Sequence, residues 1–418
     1  MSESGVKLSP DFNKLWFGQT VSRLGSQVTL FALPTFAVLR LNATPFQLGT
    51  LTALEFLPFP VIGLIAGVWV DRLPRRAVMI VADLFRCALL ASIPFAATLH
   101  WITLNQLYAV AVLTGTCTVF FDVGYASYLP LIVKREALIA ANARMQFSES
   151  ASQIAGNALG GVLVQWVGAA RAIGVDAASF VVSILSLVQI RVPGVPPRRE
   201  TGAHPPDFFL ELLEGLQSVW NNRQLRFIAA NIAVANLGAS IVNAVLFIFY
   251  YHDLHLSPGS LGLVLGFSNI GFLGALCATF VSERFEMKTT LILTAALASI
   301  AAACIPLARH GFPLVVIFFT NALESAVLPL YNITQGTYRQ RITPDHLLGR
   351  VSATMRTFVW GTLPLGSLIG GVLGNAVGVV PTILTGALIS ACGVAFLFGL
   401  RVSEAEKGKG SPTAREPL

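Results

Sequence analysis

Long apolar stretches recur along the chain and predict twelve membrane-spanning helices. A bilayer core about 30 Å thick needs about 20 mainly apolar helical residues for each crossing. Stretches of that length occupy residues 14–39, 46–70, 77–99, 103–131, 141–168, 170–190, 224–250, 257–282, 288–308, 312–337, 351–377 and 379–401. Most connections between them are short, so consecutive helices are antiparallel. The pattern predicts an all-α membrane protein.

One connection is long and divides the predicted spans into two sets of six. Residues 191–223 begin with a Pro-rich basic stretch and continue, after Asp207 as a predicted N-cap, with apolar residues at helical spacing from Phe208 to Trp220. This pattern indicates an amphipathic helix on the membrane surface. The expected units are an N-terminal six-helix bundle at 1–190, a cytoplasmic linker at 191–223, a C-terminal six-helix bundle at 224–402 and a cytoplasmic tail at 403–418.

The composition and the placement of charge agree with a chain that lies mostly in lipid. Charged residues make up 12% of the chain, about half of the roughly 25% found in soluble domains. If the N-terminus is cytoplasmic, only three of the 28 Lys and Arg residues fall in outside loops: Arg40, Arg171 and Arg309. This bias predicts an inner-membrane protein with both termini cytoplasmic. It also explains the net charge of +7 without a nucleic-acid partner.

The two predicted sets of spans resemble each other in sequence. Residues 156–168 match residues 366–378, residues 45–49 match residues 258–262, and Leu24-Gly25 matches Leu237-Gly238, all at nearly one offset. Because six helices separate the copies, both halves enter the membrane with the same orientation. The repeat is therefore parallel, about an axis along the membrane normal. Such symmetry predicts a cavity between two bundles that rock to expose it to each side in turn.

A short loop after the second span carries an acid beside several arginines. Gly67, Asp71, Arg72, Arg75 and Arg76 stand at the spacing G-x-x-x-D-R-x-x-R-R. The charges predict an ion-pair latch at the cytoplasmic rim; a loop that only directs topology is the alternative. This loop resembles the corresponding loop of the major facilitator superfamily, a family of membrane transporters. The resemblance implies the major facilitator fold, with two six-helix bundles.

Asp122 is expected to end the fourth span near the same rim. There it would accept Arg75 or Arg76 and help to latch the closed state. Residues 121–130, 141–143 and 348–351 more narrowly resemble the branch of the family that contains siderophore exporters and macrolide-efflux pumps. That resemblance implies a monomeric exporter of small molecules.

A glycine-rich element lies in the fifth span. Gly156, Gly160 and Gly161 resemble the family's G-P-x-x-G-G element, which is associated with antiporting exporters, although Asn157 replaces its proline. The repeat copy in the eleventh span contains Gly366, Gly370 and Gly371. Close packing of helices at small residues is the other interpretation, and the two are compatible.

Charged side chains within spans are costly and mark candidate functional groups. Three acids lie nearest to mid-depth, namely Glu55, Glu149 and Glu324, and are candidates for proton coupling, because desolvation lets a carboxyl group exchange a proton near neutral pH. Structural pairing or contact with cavity water is the alternative for each. A local ion pair is expected between Asp83 and Arg86, one helical turn apart, and Asp176 is expected near the outer face, in reach of water.

The leading functional hypothesis is proton-coupled efflux of a small amphipathic compound, such as a drug, a macrolide or a siderophore. By the family resemblance, the first, fourth, seventh and tenth spans line the cavity, and the candidate substrate contacts are Arg23, Asn236, Asn243, Glu324 and Asn332. Aromatic residues at 247, 249–251 and 331 are expected to line it as well. Neither a cofactor nor a metal is predicted, and no nucleotide-binding loop is found, so an ion gradient would supply the energy.

Other classes of function stay open. Import or facilitated diffusion of a small metabolite is the alternative. It stays open because Asn157 replaces the proline of the element that is associated with antiporting exporters. A sensor or an intramembrane enzyme is disfavoured, because no histidine lies in mid-span.

Overall fold

The computed structural model describes residues 8–70, 72–192, 216–269, 271, 281, 284–344 and 347–400, and within these the structure is helical without strands. The first set of helices comprises α1 (Pro10–Leu41), α2 (Pro45–Phe56), α3 (Pro58–Val70), α4 (Arg75–Thr98), α5 (Leu104–Ile132), α6 (Leu138–Val167) and α7 (Ala169–Val188). The second comprises α8 (Arg223–Ile248), α9 (Pro258–Ser268), α10 (Met287–Cys304), α11 (Pro313–Ile342), α12 (Leu348–Ala376) and α13 (Val379–Phe398). We call α1–α7 the first half and α8–α13 the second half.

The helices follow the predicted spans closely. Within the described ranges, ten helical segments are long and apolar enough to cross a membrane. Helix α6 corresponds to the predicted fifth span and is 30 residues long, but its most apolar stretch is less apolar than those of the ten segments. Helix α9 is the described start of the predicted eighth span. The predicted second span is divided at Leu57 into α2 and α3, because Pro58 lacks the N–H group that a continuous helix needs.

The predicted amphipathic helix lies mainly outside the described residues. Its end is helical at residues 216–221. There Val219 packs into a buried cluster with α8, whereas Trp220 is exposed.

Hydroxyl side chains cap three of the described helices that begin with proline, namely α1, α2 and α9. Ser9 accepts a hydrogen bond from the N–H of Phe12 at 3.1 Å, and Thr44 and Gln47 form a reciprocal capping box at the start of α2. Ser257 caps α9 in the same way before Pro258. Proline suits the first helical position because its missing N–H would have no partner there. The repeat-related pairs Thr44-Pro45 and Ser257-Pro258 thus start equivalent helices.

Glycines place α6 directly against α1, and their repeat copies place α12 against α8. A Cβ at Gly160 would lie 3.2 Å from the Cβ of Phe31, and one at Gly370 would lie 2.9 Å from the Cβ of Ala244. Residue 244 is the repeat partner of residue 31. Gly156 and Gly366 likewise pack on α1 and α8, against Gln27 and Ser240. The structure therefore carries the sequence repeat into matching helix crossings.

Two further glycine crossings join the halves to each other. A Cβ at Gly161 of α6 would lie 2.6 Å from the Cα of Gly262 of α9, and one at Gly371 of α12 would lie 3.2 Å from the Cα of Gly49 of α2. These two contacts are repeat copies of one another. Helix backbones touch at both crossings, since no side chain fits between them.

Among the described residues, the contacts between the halves are concentrated toward one face of the molecule. We call the face with residues 72–74, 133–137 and 189–192 the basic face, and the face with residues 42–44, 168, 254–257 and 377–378 the opposite face. Near the opposite face, the hydroxyls of Thr35 and Tyr251 lie 2.9 Å apart. At mid-depth, the ring of Phe59 stacks on that of Trp360 with centroids 4.2 Å apart. The halves are thus closed on the side of the opposite face.

We predict that Gly161→Ala destabilises the protein by about 1–3 kcal/mol, because the added methyl group collides with backbone atoms of α9. The matched control is Gly63→Ala, since a Cβ at Gly63 meets no atom within 4 Å. Thermal unfolding in detergent micelles measures the difference. Equal unfolding temperatures for the two variants would show that the crossing at Gly161 is not tight.

Candidate functional site

An ion pair joins α1 to α6 inside the first half. Arg23 donates from Nη1 to Glu149 Oε2, and the two side chains are 28% and 42% exposed. The ring of Tyr125 on α5 has its centroid 5.9 Å from the Arg23 guanidinium carbon. Three helices therefore bring a base, an acid and a phenol together on a surface that remains accessible.

Asp122 extends this cluster. It lies one turn before Tyr125 on α5, is exposed, and interacts electrostatically with Arg23, Glu149 and Arg86. All four side chains are at least partly accessible, although they interact with one another across three helices. We call Arg23, Asp122, Tyr125 and Glu149 the polar cluster.

The predicted latch contact of Asp122 is absent in this conformation. Neither Arg75 nor Arg76, both within the described residues, forms an ion pair with Asp122. Arg75 is buried, and Arg76 donates a hydrogen bond to the carbonyl of Val188. The reason is the length of α5, which continues to Ile132 and leaves Asp122 about 15 Å from its end.

The rest of the predicted latch is only partly defined. Asp71 lies outside the described residues. Gly67 has no atom within 4 Å of its would-be Cβ, and Arg72 is exposed. The latch therefore stays a prediction for these residues.

The predicted ion pair between Asp83 and Arg86 is present and buried. The Arg86 guanidinium lies over two aromatic rings, with its carbon 4.4 Å from the centroids of both Phe121 and Phe180. The cation thus has an acid and two rings as neighbours, an arrangement that compensates for lost hydration.

Asp176 does not reach water as expected, because it is only 1% exposed. Its carboxylate accepts hydrogen bonds from Thr29 Oγ1 at 2.5 Å and from Ser179 Oγ at 3.0 Å. Gly25 makes room for this carboxylate, since a Cβ at Gly25 would lie 2.5 Å from Asp176 Oδ1. The stripe of small polar residues on α7, at positions 176, 179, 183 and 186, was the sequence signal for this buried contact with α1.

Glu55 faces a separate cavity of about 220 Å³ within the first half. The cavity lies among α1, α2, α3, α4, α5 and α7, and Arg86 and Asp176 also line it. In the described part of the chain, the Glu55 carboxyl group has no hydrogen-bond or ion-pair partner. The structure therefore separates Glu55 from the pair formed by Arg23 and Glu149.

The second half holds the remaining candidate residues. Glu324 on α11 is half-buried and interacts electrostatically with Tyr250. Asn243 and Asn332 are exposed, and Asn236 is half-buried. Their accessibility is compatible with the predicted substrate contacts, but no described contact joins them to the polar cluster.

Most of the aromatic residues expected to line a cavity are buried instead. Phe249, Tyr250 and Tyr251 are at most 5% exposed, because a π-helical turn at Phe249–Asp253 packs them into the core between the halves. Tyr331 donates to Asn231, whose amide donates to the carbonyl of Gly393 at 2.9 Å. Asn231 is a fully buried polar residue that the sequence analysis did not single out.

Membrane-length helices, two repeat-related halves and polar side chains in the membrane interior define a transporter rather than an enzyme. The profile of the Major Facilitator Superfamily matches residues 15–364 and, in a second match, residues 229–418. The chain belongs to this superfamily. It is accordingly a multi-pass protein of the inner membrane.

Similar proteins include transporters of known direction. The multidrug efflux pump Tap of Mycobacterium tuberculosis (strain ATCC 25618 / H37Rv) is 30% identical over 390 residues, which cover 90% of each chain. Macrolide efflux protein A of Streptococcus pyogenes is 23% identical, over 88% of this chain and 90% of its own length. The structure of a bacterial homologue of the iron transporter ferroportin has a TM-score of 0.73 at 15% identity, covering 93% of this chain and 98% of its own. The last similarity concerns the fold alone.

We predict that Arg86→Met destabilises the protein by about 3–5 kcal/mol, because it leaves the buried Asp83 carboxylate without its cation. The double variant Asp83→Leu/Arg86→Met removes both charges and should recover most of this loss. Thermal unfolding in detergent checks both. A double variant no more stable than Arg86→Met would contradict the ion-pair account.

Proposed function

We propose that this chain exports small amphipathic compounds across the inner membrane in exchange for protons. The efflux pumps similar to it over nearly its whole length support the direction of transport and the class of substrate, which includes drugs and macrolides. The proposed topology places the basic face and both termini in the cytoplasm. The proposed working unit is the monomer.

The observation that carries the proton-coupling proposal is the polar cluster. Glu149 and Asp122 are accessible acids in the membrane interior, and both interact electrostatically with Arg23. Protonation of Glu149 removes its charge and releases Arg23, and loss of the proton restores the pair. A proton taken up on one side of the membrane and released on the other would thus change which contacts hold α1 to α6.

The distribution of contacts supports alternating access. The halves meet through the glycine crossings and the pair Thr35–Tyr251 on the side of the opposite face. With the basic face in the cytoplasm, this conformation opens inward and can admit a compound from the cytoplasm or the inner leaflet. Export then requires the glycine crossings to separate while the basic face closes. In that closed state, the proposed ion-pair latch forms at Asp71, Arg75 and Arg76.

Glu55 and Glu324 remain the other proton-coupling candidates, and Asn236, Asn243 and Asn332 the substrate contacts. Import or facilitated diffusion is the second candidate function. The observation that favours it is the absence of a proline in the glycine element, since α6 passes through Asn157 as a continuous helix.

The direct test of export is accumulation in membrane vesicles of each orientation, with erythromycin and ethidium as probes. Inverted vesicles with an acidic interior should accumulate a probe, and an uncoupler should abolish the accumulation. We predict that Glu149→Gln lowers this uptake by roughly tenfold or more, because a neutral amide cannot carry the proton. Glu136→Gln, an exposed acid in the loop before α6, is the matched control and should transport normally.

Two results would contradict this proposal. Accumulation only in right-side-out vesicles would indicate import. Gradient-driven uptake that survives unchanged in Glu55→Gln, Glu149→Gln and Glu324→Gln would refute carboxylate coupling.

The topology makes a separate prediction. A reporter that is active only in the cytoplasm, fused after Leu418, should be active, whereas a reporter inserted at Gly168 should be inactive, because the basic residues hold their face inside. Alkaline phosphatase fusions at the same two positions should give the reverse pattern. The opposite result at either position would invert the proposed orientation.

A further inference from the structure

Asp122 has no partner for its charge in the part of the chain that the structure describes. It is exposed on α5, and its carboxylate forms neither an ion pair nor a hydrogen bond there. An unpaired carboxylate within the membrane region is costly and marks a candidate functional group. In the proposed function Glu149 carries the proton, and Asp122 has no separate role.

One basic residue lies near Asp122 and can move toward it. Asp122 precedes Tyr125 by three residues on α5, so the two side chains lie on one face of that helix. The Arg23 guanidinium carbon is 5.9 Å from the centroid of the Tyr125 ring, and Arg23 interacts electrostatically with Asp122. Arg86 interacts with Asp122 as well, but it is only 6% exposed and is paired with Asp83. Arg23, which is partly accessible, is therefore the cation that can reach Asp122.

Release of Arg23 from Glu149 requires a second acceptor. In this structure Arg23 donates to Glu149, and the pair joins α1 to α6. Protonation of Glu149 removes the charge of the partner, and a guanidinium left alone in the membrane interior would oppose that step. A carboxylate on the neighbouring helix offsets this cost, because the cation then exchanges one acid for another.

The exchange would also change which helix is tied to α1. Helix α6 carries Gly161, which packs against Gly262 of α9 at a crossing between the halves. Helix α5 packs mainly on α2, α3 and α4, all within the first half. A move of Arg23 from α6 to α5 therefore loosens a helix that holds the two halves together.

We propose that Asp122 is the second partner of Arg23, a positioning residue that receives the guanidinium when Glu149 takes up a proton. The cation then joins α1 to α5, and loss of the proton from Glu149 returns it to α6. The ring of Tyr125 lies beside this path and attracts the cation through its π face. The inference rests on the proposed function of Glu149 and adds a role for Asp122.

The test is a cycle of variants whose thermal unfolding is measured in detergent micelles without an ion gradient. Glu149→Gln imitates the protonated acid, so Arg23 should already pair with Asp122 in this variant. Asp122→Asn should change the unfolding temperature little in the wild type, but should lower it by about 5 °C or more in the Glu149→Gln background, where it removes the last partner of Arg23. Glu136→Gln, an exposed acid in the loop before α6, is the matched control and should shift both backgrounds alike.

A third substitution distinguishes an unpaired cation from a general failure to fold. Arg23→Gln, added to the variant that carries both Asp122→Asn and Glu149→Gln, removes the cation itself. The triple variant should therefore recover most of the lost stability, even where the double variant does not fold.

Transport provides a readout that a purely structural role would not change. Asp122→Asn should shift the pH dependence of gradient-driven uptake toward lower pH by about half a pH unit or more, because Arg23 then opposes protonation of Glu149. Asp122→Glu keeps the charge and should restore the wild-type dependence.

Three outcomes would overturn the proposal: additive effects of Asp122→Asn and Glu149→Gln on the unfolding temperature, a triple variant no more stable than the double variant, or an unchanged pH dependence of uptake in Asp122→Asn. Unchanged uptake in Glu149→Gln would instead contradict the proposed role of that acid in proton coupling. The unfolding cycle uses no gradient, so it reports the change of partner in either case, and the two failures are distinguishable.

Discussion

Backbone contact at glycine is the interaction on which the rest of the structure depends. Apolar side chains gain little by turning inward in lipid, so membrane helices associate through close packing and polar pairs. Gly161 on Gly262 and Gly371 on Gly49 bring the two halves into contact without intervening side chains. Because these crossings are repeat copies, a single symmetric movement can open both. The cavity can then open on one face only as the halves close on the other.

Among the described residues, charge in the membrane interior is concentrated in the first half, and the proposed proton coupling depends on it. Its interior places five carboxyl groups around two guanidinium groups: Glu55, Asp83, Asp122, Glu149 and Asp176 around Arg23 and Arg86. Isolated charges are costly in a membrane. The acids in excess are therefore candidates for carrying protons, whereas the pair of Asp83 and Arg86 is satisfied within α4 and the pair of Arg23 and Glu149 joins α1 to α6.

Much of the fold, but less of the site, could be predicted from the sequence. Span lengths and the repeat depend on local composition, so the helices and the glycine copies were predictable, as was the pair Asp83–Arg86 at one-turn spacing. The burial of Asp176 was signalled by the stripe of small polar residues on α7, whereas the burial of Tyr251 depends on which neighbouring helix its face meets, and a single sequence does not encode that in its periodicity. Pro58 was the sequence signal for the helix break at Leu57. The continuous apolar stretch around it nevertheless predicted a single span over residues 46–70.

The central claim is that the two glycine crossings separate when the basic face closes. Distances between spin labels, measured by double electron–electron resonance, test this claim in a variant whose native cysteines are replaced. One pair, at Phe46 and Val377, spans the halves on the opposite face, and a second, at Glu136 and Gln340, spans them on the basic face; all four positions are exposed. The account predicts that a transported compound or a pH change lengthens the first distance while it shortens the second. Distances that change in the same sense, or a first distance that never lengthens, would contradict it.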